Sequence, residues 1–314
     1  MNIFNSFDHQ LPIPNAVLTI GTFDGVHVGH QKIIQKLNDE AKIVGGESVL
    51  FTFYPHPRMV LFPDSHGLKL IQTQDEKLDK LKRFGLQNVI VQPFTSDFSN
   101  LSALEFVRDY LVGKLKVKKL VIGYDHQFGK NREGSLDFLK EISKQYNFEV
   151  IEIPAQEIDE VNISSTRIRK SIELGNIERV NQSLGEPFEL NGIVIRGNQI
   201  GRTIGFPTAN IKLEDSVKIV PGNGVYAVDV LINSHSKYKG MMNIGVKPTI
   251  DSNLEKSIEV NIFDFNQDIY GKHITVRLIS RIRDEFKFSS IEELTNKLKQ
   301  DEINCRSLFH ITNN

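Results

Sequence analysis

The segment from Ala16 to Val44 constrains the fold more than any other, because its hydrophobic spacing changes from strand-like to helical across one turn. Its first five residues form an apolar run of the length expected for a buried strand. A turn bracketed by Gly21 and Gly25 follows, and beyond Gly29 the apolar residues recur at helical spacing. The sequence therefore predicts a strand, a tight turn and a helix.

Two histidines, His27 and His30, lie at the predicted start of this helix. The first N–H groups of a helix have no partner within it, and the helix dipole places positive charge there, so the position suits a phosphate group. Imidazole N–H groups near that end can donate to phosphate oxygens while charge builds on phosphorus. A strand–turn–helix junction with two surface histidines is the simpler interpretation, and these residues by themselves leave both open.

Strand and helix patterns alternate through the first half of the chain. Apolar runs rich in Val and Ile are separated by helical segments, and two of these segments begin with capping boxes, at Thr73 and at Ser102. The alternation predicts parallel βαβ units that form an α/β doubly wound parallel sheet, a Rossmann-like arrangement. Ligands bind beyond the carboxyl ends of the strands in such sheets, where residues 21–30 and 123–129 are both expected.

The pattern changes near residue 184, where short strands separated by turns rich in Gly, Asn and Pro replace the alternation. We expect a small antiparallel β-barrel with one amphipathic helix, from about Ser290, to close it. The candidate strands are Phe188–Arg196, Gly224–Ile232, Tyr238–Ile244, Ser257–Phe263 and His273–Asp284. A chain of 314 residues is long for one core, so the predicted domains are residues 1–184 and 185–314.

The composition is ordinary, with 39% hydrophobic and 25% charged residues and a formal net charge of -1. That balance argues against a nucleic-acid-binding protein held by a broad basic surface. The single cysteine, Cys305, excludes an internal disulfide framework and a multi-cysteine metal site. We expect no secretory leader and no membrane-spanning segment, and hence a cytoplasmic enzyme acting on small molecules. Assembly into a homo-oligomer is left open.

A glycine-rich segment, residues 201–210, carries the polar residues that matter in the second half. It is not a Gly-x4-Gly-Lys-Ser/Thr phosphate loop, because that pattern does not follow Gly197 at the required spacing. Thr208 and Asn210 instead present a hydroxyl and an amide oxygen, which are hard ligands suited to Mg²⁺. A proline-fixed β-turn with polar caps is the alternative that the residues alone favour.

Three stretches together resemble one family. Residues 21–30 have the pattern Gly-x-Phe-Asp-Gly-x-His-x-Gly-His, residues 164–169 read Ser-Ser-Thr-x-Ile-Arg, and residues 201–210 read Gly-Arg-x-x-Gly-Phe-Pro-Thr-Ala-Asn. The first two resemble the signatures of FAD synthetases, and the third closely resembles the riboflavin kinase signature. The chain as a whole resembles the prokaryotic bifunctional riboflavin kinase/FMN adenylyltransferases.

That resemblance implies that ATP phosphorylates riboflavin to FMN in the C-terminal domain and that AMP transfer from ATP converts FMN into FAD in the N-terminal domain. It implies Mg²⁺ as cofactor, with ATP, riboflavin, FMN and FAD as substrates or products. Carried onto this sequence, it gives catalytic roles to His27, His30 and Glu259. The implied nucleotide-binding residues are Gly21, Phe23, Asp24, Gly29, Ser165, Thr166, Arg169, Gly201 and Gly205. The implied flavin-binding residues are Asp125, Phe128, Asn243, Arg283 and Glu285, and the implied metal ligands are Thr208 and Asn210.

Two positions depart from the family pattern, with His126 in place of the usual Phe and Lys247 in place of the usual Arg. These departures leave open the alternative that only one domain is active and that the other domain only binds flavin. A flavin sensor without catalysis is a further alternative. The presence of His27, His30 and Glu259 counts against it, because a sensor needs no general base.

Overall fold

The structure, a computed structural model, describes residues 1–6, 13–62, 67–123, 126–154, 163–197, 200–233, 236–248 and 254–311. Contacts divide the chain into two compact units, Met1–Ser165 and Thr166–Asn314. This division precedes the change of sequence pattern, because a helix before residue 185 packs on the strands that follow it. A functional boundary at 184/185 stays a prediction.

The first unit is built on a six-stranded sheet in which all neighbouring strands are parallel. Its strands in chain order are β1 (Asn2–Phe4), β2 (Val17–Ile20), β3 (Ser48–Tyr54), β4 (Asn88–Pro93), β5 (Lys119–Gly123) and β6 (Glu149–Ile153). Their order across the sheet is β1-β4-β3-β2-β5-β6. The predicted parallel sheet is confirmed.

Helices cover both faces of this sheet. They are α1 (Val28–Ile43), α2 (Pro57–Leu61), α3 (Gln74–Arg83), α4 (Ser96–Ser99), α5 (Ala103–Glu105), which continues as a π-helix over Phe106–Lys114, and α6 (Leu136–Tyr146). Successive strand residues point to opposite faces, so Val17 packs with α1 and α3 whereas Leu18 packs with the π-helix and α6. Both predicted capping boxes, at Thr73 and at Ser102, are present.

The direction in which the chain winds reverses beside β2. From β2 the chain passes to β3 and β4 on one side, whereas β5 and β6 lie on the other side. A crevice forms at the carboxyl ends of the strands that flank such a reversal, and ligands bind there. The turn that begins at Gly21 follows β2, and residues 126–129 follow β5. The described parts of both predicted segments therefore lie at the carboxyl edge of the sheet, where the topology predicts a ligand site.

The second unit is a closed barrel of antiparallel strands. The strands are β7 (Phe188–Ile195), β8 (Ala209–Leu213), β9 (Gly224–Ile232), β10 (Ser236–Pro248), β11 (Leu254–Ile262) and β12 (His273–Arg283), closed in the order β10-β11-β8-β7-β12-β9. The helices are α7 (Ser165–Glu173), α8 (Ile177–Leu184), α9 (Ile200–Thr203) and α10 (Ile291–Ile311). The predicted barrel with a C-terminal helix is confirmed.

One barrel strand, β8, is not predicted by the sequence pattern. Asn210 and Lys212 alternate with its apolar residues over a short span, and Asn disfavours strands. The barrel nevertheless closes through β8, which lies between β7 and β11. Tertiary pairing thus overrides a weak local preference, and it brings Asn210 opposite Glu259.

The C-terminal helix α10 packs against one side of the barrel. Leu298, Cys305 and Phe309 of α10 pack against barrel side chains that include Met241 and Phe263. Burial raises the pKa of the Cys305 thiol to about 12, so this cysteine is a packing residue and not a thiolate nucleophile.

Candidate active sites

The turn after β2 is held in a strained conformation. Phe23 and Val26 have φ angles of 49° and 39°, a conformation that costs a residue with a side chain about 1–3 kcal/mol and clusters at functional sites. The hydroxyl of Thr52 donates to the carbonyl oxygen of Thr22 at 3.2 Å, which fixes the turn to β3. A Cβ at Gly21 would lie 2.9 Å from the ring of Phe23, so glycine is needed for that ring to fold back.

Three rings form a stack at the start of α1. The centroids of Phe23 and His30 are 4.4 Å apart, and those of His27 and His30 are 3.6 Å apart. His27 is also the N-cap of α1, because its Nδ1 accepts a hydrogen bond from the backbone N–H of His30 at 3.4 Å. The neutral imidazole of His27 therefore carries its proton on Nε2. Three of the predicted site residues lie together.

Burial keeps both imidazoles neutral. His27 is only 5% exposed, and burial together with the charge of Lys80 lowers its pKa to about 4. Burial, the adjacent His27 and the charges of Lys80 and Lys77 hold the pKa of His30 well below its ordinary value. The Nδ1 of His30 is buried and has no hydrogen-bond partner within the described part of the chain. A bound ligand could supply that partner.

Two buried lysines lie beneath the turn, and no sequence pattern predicted them as site residues. Lys77 and Lys80 of α3 are 6% and 0% exposed. The Nζ of Lys77 donates to the carbonyl of Thr22 at 3.3 Å and to the hydroxyl of Thr52 at 3.2 Å. The Nζ of Lys80 donates to the carbonyl of Gly25 at 3.3 Å. Their spacing of three residues places them on one face of α3, but the spacing of two lysines does not distinguish a buried face from an exposed one.

Asp24 ties the turn to two distant segments. Its carboxylate accepts hydrogen bonds from the backbone N–H groups of Ile71 at 3.0 Å and Gln72 at 3.4 Å. The hydroxyl of Ser165 donates to the carbonyl oxygen of Asp24 at 2.9 Å. Gly29 is buried within α1. Asp24 and Ser165 therefore hold the turn in shape, and their contacts with a nucleotide stay predictions.

The remaining residues predicted for the N-terminal site are Asp125, Phe128, Thr166 and Arg169. Phe128 is half-buried, with its ring 5.6 Å from that of Phe106 in the core of the first unit. Asp125 lies outside the described residues. Thr166 and Arg169 belong to the second unit, where Arg169 is buried in α7. Their proposed contacts with flavin or ATP stay predictions.

Three predicted residues share one row across the barrel. Asn210 of β8 pairs with Glu259 of β11, and Glu259 pairs with Asn243 of β10. Residues opposite each other on neighbouring strands have side chains on the same face. The hydroxyl of Thr208 donates to Oε2 of Glu259 at 3.2 Å. The structure thus gathers the predicted general base, both predicted metal ligands and one predicted flavin contact on one face.

Three glycines shape the segment that leads into β8. A Cβ at Gly197 would overlap the side-chain amide of Asn210, and a Cβ at Gly201 would overlap the carbonyl oxygen of Phe206. Gly205 has open space around it but a φ of +83°, which a residue with a side chain adopts only at a cost. Glycine is therefore needed at 197 and 201 by close approach and at 205 by backbone conformation.

A cavity of about 420 Å³ adjoins this cluster. Thr208 lines it, together with Arg196, Arg202 and Tyr270, and the guanidinium of Arg196 lies 5.4 Å from the ring centroid of Tyr270. Guanidinium groups suit phosphates, and a planar ring suits stacking. The volume is within the range of small-ligand sites, so this cavity is a candidate ligand site beside Thr208.

Glu285 and Asn243 both lie beside a glycine of β10. A Cβ at Gly245 would overlap a carboxylate oxygen of Glu285 and lie 3.4 Å from the amide nitrogen of Asn243. The amide of Asn223 donates to the other carboxylate oxygen of Glu285 at 2.9 Å. Two of the predicted flavin-binding residues are therefore close together.

Arg283 has a structural contact that the sequence did not suggest. Its guanidinium pairs with both carboxylate oxygens of Asp301 in α10, with the shorter contacts at 2.8 Å, and Asp301 is 0% exposed. The same guanidinium lies over the rings of Phe286 and Phe288. Arg283 thus joins β12 to α10, and its contact with flavin stays a prediction.

Within the described ranges, no group of three or more His, Cys, Asp or Glu side chains is arranged to hold a metal ion. The candidate ligands Thr208 and Asn210 are of other types, and both lie beside Glu259. Within the same ranges, no helix has the length and apolar character needed to cross a membrane.

Comparison with known proteins gives consistent matches for both halves. The FAD synthetase family model matches residues 10–167, and the riboflavin kinase family model matches residues 184–309. The bifunctional riboflavin kinase/FMN adenylyltransferase of Escherichia coli (strain K12) is 37% identical over 303 residues, which cover 96% of each chain. That of Bacillus subtilis (strain 168) is 39% identical over 290 residues, which cover 91% of this chain and 90% of the relative.

A solved structure is similar over nearly the whole length. It is described as a macrolide-efflux protein from Streptococcus pneumoniae, is 38% identical, superposes with a TM-score of 0.87, and covers 97% of this chain and 98% of that one. The efflux description belongs to that protein, whereas both family models and the named relatives concern flavin nucleotides. The chain therefore belongs to the family of bifunctional riboflavin kinase/FMN adenylyltransferases.

Proposed function

We propose that the chain makes FAD from riboflavin in two consecutive steps. The second unit transfers the γ-phosphoryl group of ATP to riboflavin and releases FMN and ADP. The first unit transfers AMP from a second ATP to FMN and releases FAD and pyrophosphate. The observation that carries the proposal is that each unit has its own cluster of suitable groups: the stacked imidazoles after β2 and the Thr208–Glu259 pair on the barrel. We expect both steps to take place in the cytoplasm.

In the first unit, a phosphate oxygen of FMN attacks the α-phosphorus of ATP, and the bond from that phosphorus to pyrophosphate breaks. Negative charge builds on the non-bridging oxygens at this point. His27 and His30, kept neutral by desolvation and by the nearby lysine charges, which lower their pKa values, donate N–H groups to these oxygens, and the N-terminus of α1 adds its positive dipole. The imidazoles bind and orient the phosphate while FMN supplies the nucleophile.

In the second unit, Glu259 accepts the proton of the riboflavin 5′-hydroxyl as its oxygen attacks the γ-phosphorus of ATP, and ADP leaves. The hydroxyl of Thr208 donates to Glu259, which fixes the carboxylate in one orientation. Arg196 and Arg202 at the adjoining cavity bind the phosphates of the nucleotide. Asn243 and Glu285, which lie together beside Gly245, contact the flavin.

The residues present fit a magnesium ion. The hydroxyl oxygen of Thr208 and the amide oxygen of Asn210 are hard donors close to a carboxylate and to a nucleotide-sized cavity. When bound, Mg²⁺ neutralises phosphate charge during phosphoryl transfer. The packing of Gly197 on the amide of Asn210 holds that side chain in place before any ion arrives.

The test is an incubation of the full chain with riboflavin, ATP and MgCl₂, with flavins separated by chromatography. FMN should appear first and FAD later, with one ADP released for each riboflavin phosphorylated and one pyrophosphate released for each FAD formed. A parallel incubation with FMN and ATP should give FAD alone. Flavin binding without ATP consumption would contradict the proposal and indicate a flavin sensor. Formation of only FMN, or of FAD only from added FMN, would indicate a chain with a single activity.

A further inference from the structure

The buried lysines of α3 are unusual because side-chain ammonium groups are rarely buried unless something charged or polar requires them. Lys80 is wholly buried and Lys77 nearly so. The desolvation penalty for a buried ion amounts to several kcal/mol, and burial lowers the pKa of Lys77 to about 8, although Asp24 opposes this. An uncharged side chain of similar length would fill the same space without that penalty.

Both ammonium groups lie directly under the turn that carries the imidazoles. The Nζ of Lys77 donates a hydrogen bond to the carbonyl of Thr22, and the Nζ of Lys80 donates one to the carbonyl of Gly25. The two lysines therefore hold the turn by hydrogen bonds on either side of Phe23 and Asp24. Phe23 is the outer ring of the stack with His30 and His27. The lysines therefore act on the stack through the backbone as well as through their charge.

Within the described residues, three charged side chains lie near the imidazoles or their turn. Lys77 and Lys80 face them from α3, and the carboxylate of Asp24 belongs to the turn but bonds to the backbone of Ile71. The charge of Lys80 lowers the pKa of both imidazoles, whereas the charge of Lys77 lowers the pKa of His30. In this setting a positive charge from a lysine adds to the potential that attracts phosphate, without a proton on either imidazole.

We propose that Lys77 and Lys80 are positioning residues for AMP transfer, which fix the turn from Thr22 to Gly25 and maintain a positive potential beneath the imidazole pair. The proposal rests on the function proposed above for the first unit. It assigns different tasks to the two kinds of basic side chain. The ammonium groups supply fixed positive charge, and the neutral imidazoles supply directed N–H donors.

The test uses the full chain with Lys80→Met and Lys77→Met, and with Lys82→Met as the matched control, since Lys82 is an exposed lysine of the same helix. Imidazole titration is followed by NMR without substrates, with signals assigned through His27→Asn and His30→Asn variants. FAD formation from FMN and ATP is measured from pH 5 to 8. Riboflavin phosphorylation by the second unit serves as an internal control in every variant.

Lys80→Met should move the titration midpoints of both imidazoles to higher pH, whereas Lys77→Met should move that of His30. Burial is the larger cause of the low imidazole pKa values and remains in both variants, so each midpoint should stay below the ordinary 6.5. Protonation of His27 removes the Nδ1 acceptor that caps α1, so in Lys80→Met the acid-side fall in FAD formation should move to higher pH by the same shift as the His27 midpoint. Lys82→Met should leave both titrations and the pH profile as in the parent chain.

Unchanged imidazole titrations and an unchanged pH profile in both lysine variants would overturn the proposal, even if FAD formation dropped at every pH, because that is the result of a purely structural role. If Lys80→Met unfolds the first unit, Lys77→Met decides by itself. An unchanged titration midpoint of His30 in that variant then overturns the proposal. A parent chain that makes no FAD would refute the proposed function instead, and the substrate-free titrations would still decide whether the lysines act on the imidazoles.

Discussion

The hydroxyl of Thr208 donates a hydrogen bond of 3.2 Å to a carboxylate oxygen of Glu259, across a sequence separation of 51 residues. Thr208 precedes β8 and Glu259 lies in β11, the strand next to it. A proposed metal ligand and the proposed general base therefore touch each other. Any change at one of them is expected to disturb the other, so single substitutions here will not be additive.

Glu259→Gln keeps the shape of the side chain but removes the base. We expect riboflavin phosphorylation to fall by about 10²–10⁴-fold, the usual contribution of general base catalysis. FAD formation from added FMN should be unaffected, and Glu189→Gln, which alters an ion pair with Arg277 elsewhere on the barrel, is the matched control. Steady-state rates with riboflavin measure the effect, and a parental rate in Glu259→Gln would remove the residue from the mechanism.

His30→Ala and His27→Ala should each lower FAD formation by about 10²–10³-fold, because each removes a donor to the phosphate undergoing substitution. The rate with FMN and ATP is the measurement, and riboflavin phosphorylation reports that the chain is otherwise intact. His27→Asn keeps a side chain that can cap α1 but offers no imidazole, so it separates the loss of a cap from the loss of a donor. Normal AMP transfer in all three variants would disprove the site.

Gly201→Ala and Gly205→Ala should differ although both add one methyl group. A Cβ at Gly201 would overlap the carbonyl of Phe206, so the segment carrying Thr208 must shift and kinase activity should drop. Gly205 has room but an unfavourable φ, and its substitution should cost about 1–2 kcal/mol of stability with smaller catalytic loss. Kinase rates and thermal unfolding compare the two, and equal effects would contradict this account.

Asp301→Asn should destabilise the second unit by about 3–5 kcal/mol, since it leaves the largely buried guanidinium of Arg283 without its charged partner. The change should lower the unfolding temperature of the barrel and leave FAD formation from FMN intact. The double variant Arg283→Met with Asp301→Leu should recover much of the loss, because the buried pair is then replaced by apolar packing. Failure of the double variant to recover would point to a flavin or folding role for Arg283.

The first unit should lose stability as the pH falls from about 7 to about 4. His27 has a folded pKa of about 4 against an ordinary 6.5, so the unfolded chain binds more protons in this window and stability falls with pH, by about 3 kcal/mol for this residue. Hydrogen exchange of α1 amides measures it. His27→Asn, which does not titrate, should flatten the dependence, and an equally steep dependence in that variant would exclude His27 as its source.

Periodicity was sufficient to predict most of the first unit. The capping boxes at Thr73 and Ser102 are local hydrogen-bond patterns that a short sequence encodes completely, and both are present. The π-helix over Phe106–Lys114 was not predicted, because its extra residue per turn depends on how its side chains pack in the core. Lys77 and Lys80 were missed for a similar reason, since lysine is exposed in most helices and only the surrounding packing buries it.

In the second unit the sequence predicted the barrel but not its strand β8, which lies between β7 and β11. Apolar alternation predicted the long strands, whereas β8 has only five residues and carries the polar residues Asn210 and Lys212. Only the register, Asn210 opposite Glu259 and Glu259 opposite Asn243, puts these residues in one row. That register depends on hydrogen bonds between strands far apart in the chain, which no local pattern encodes.

The sequence by itself determined the two architectures, the strand–turn–helix junction at His27 and His30, and the residue types of both candidate sites, because hydrophobic spacing, capping and glycine placement act over a few neighbouring residues. Only the tertiary structure decided that the imidazoles stack and lie over two buried lysines, that β2 and β5 are neighbours, and that Thr208 meets Glu259. Burial, electrostatic potential and contacts across strands arise from the packing of residues that are distant in the chain. A candidate site needs these properties in addition to suitable residue types.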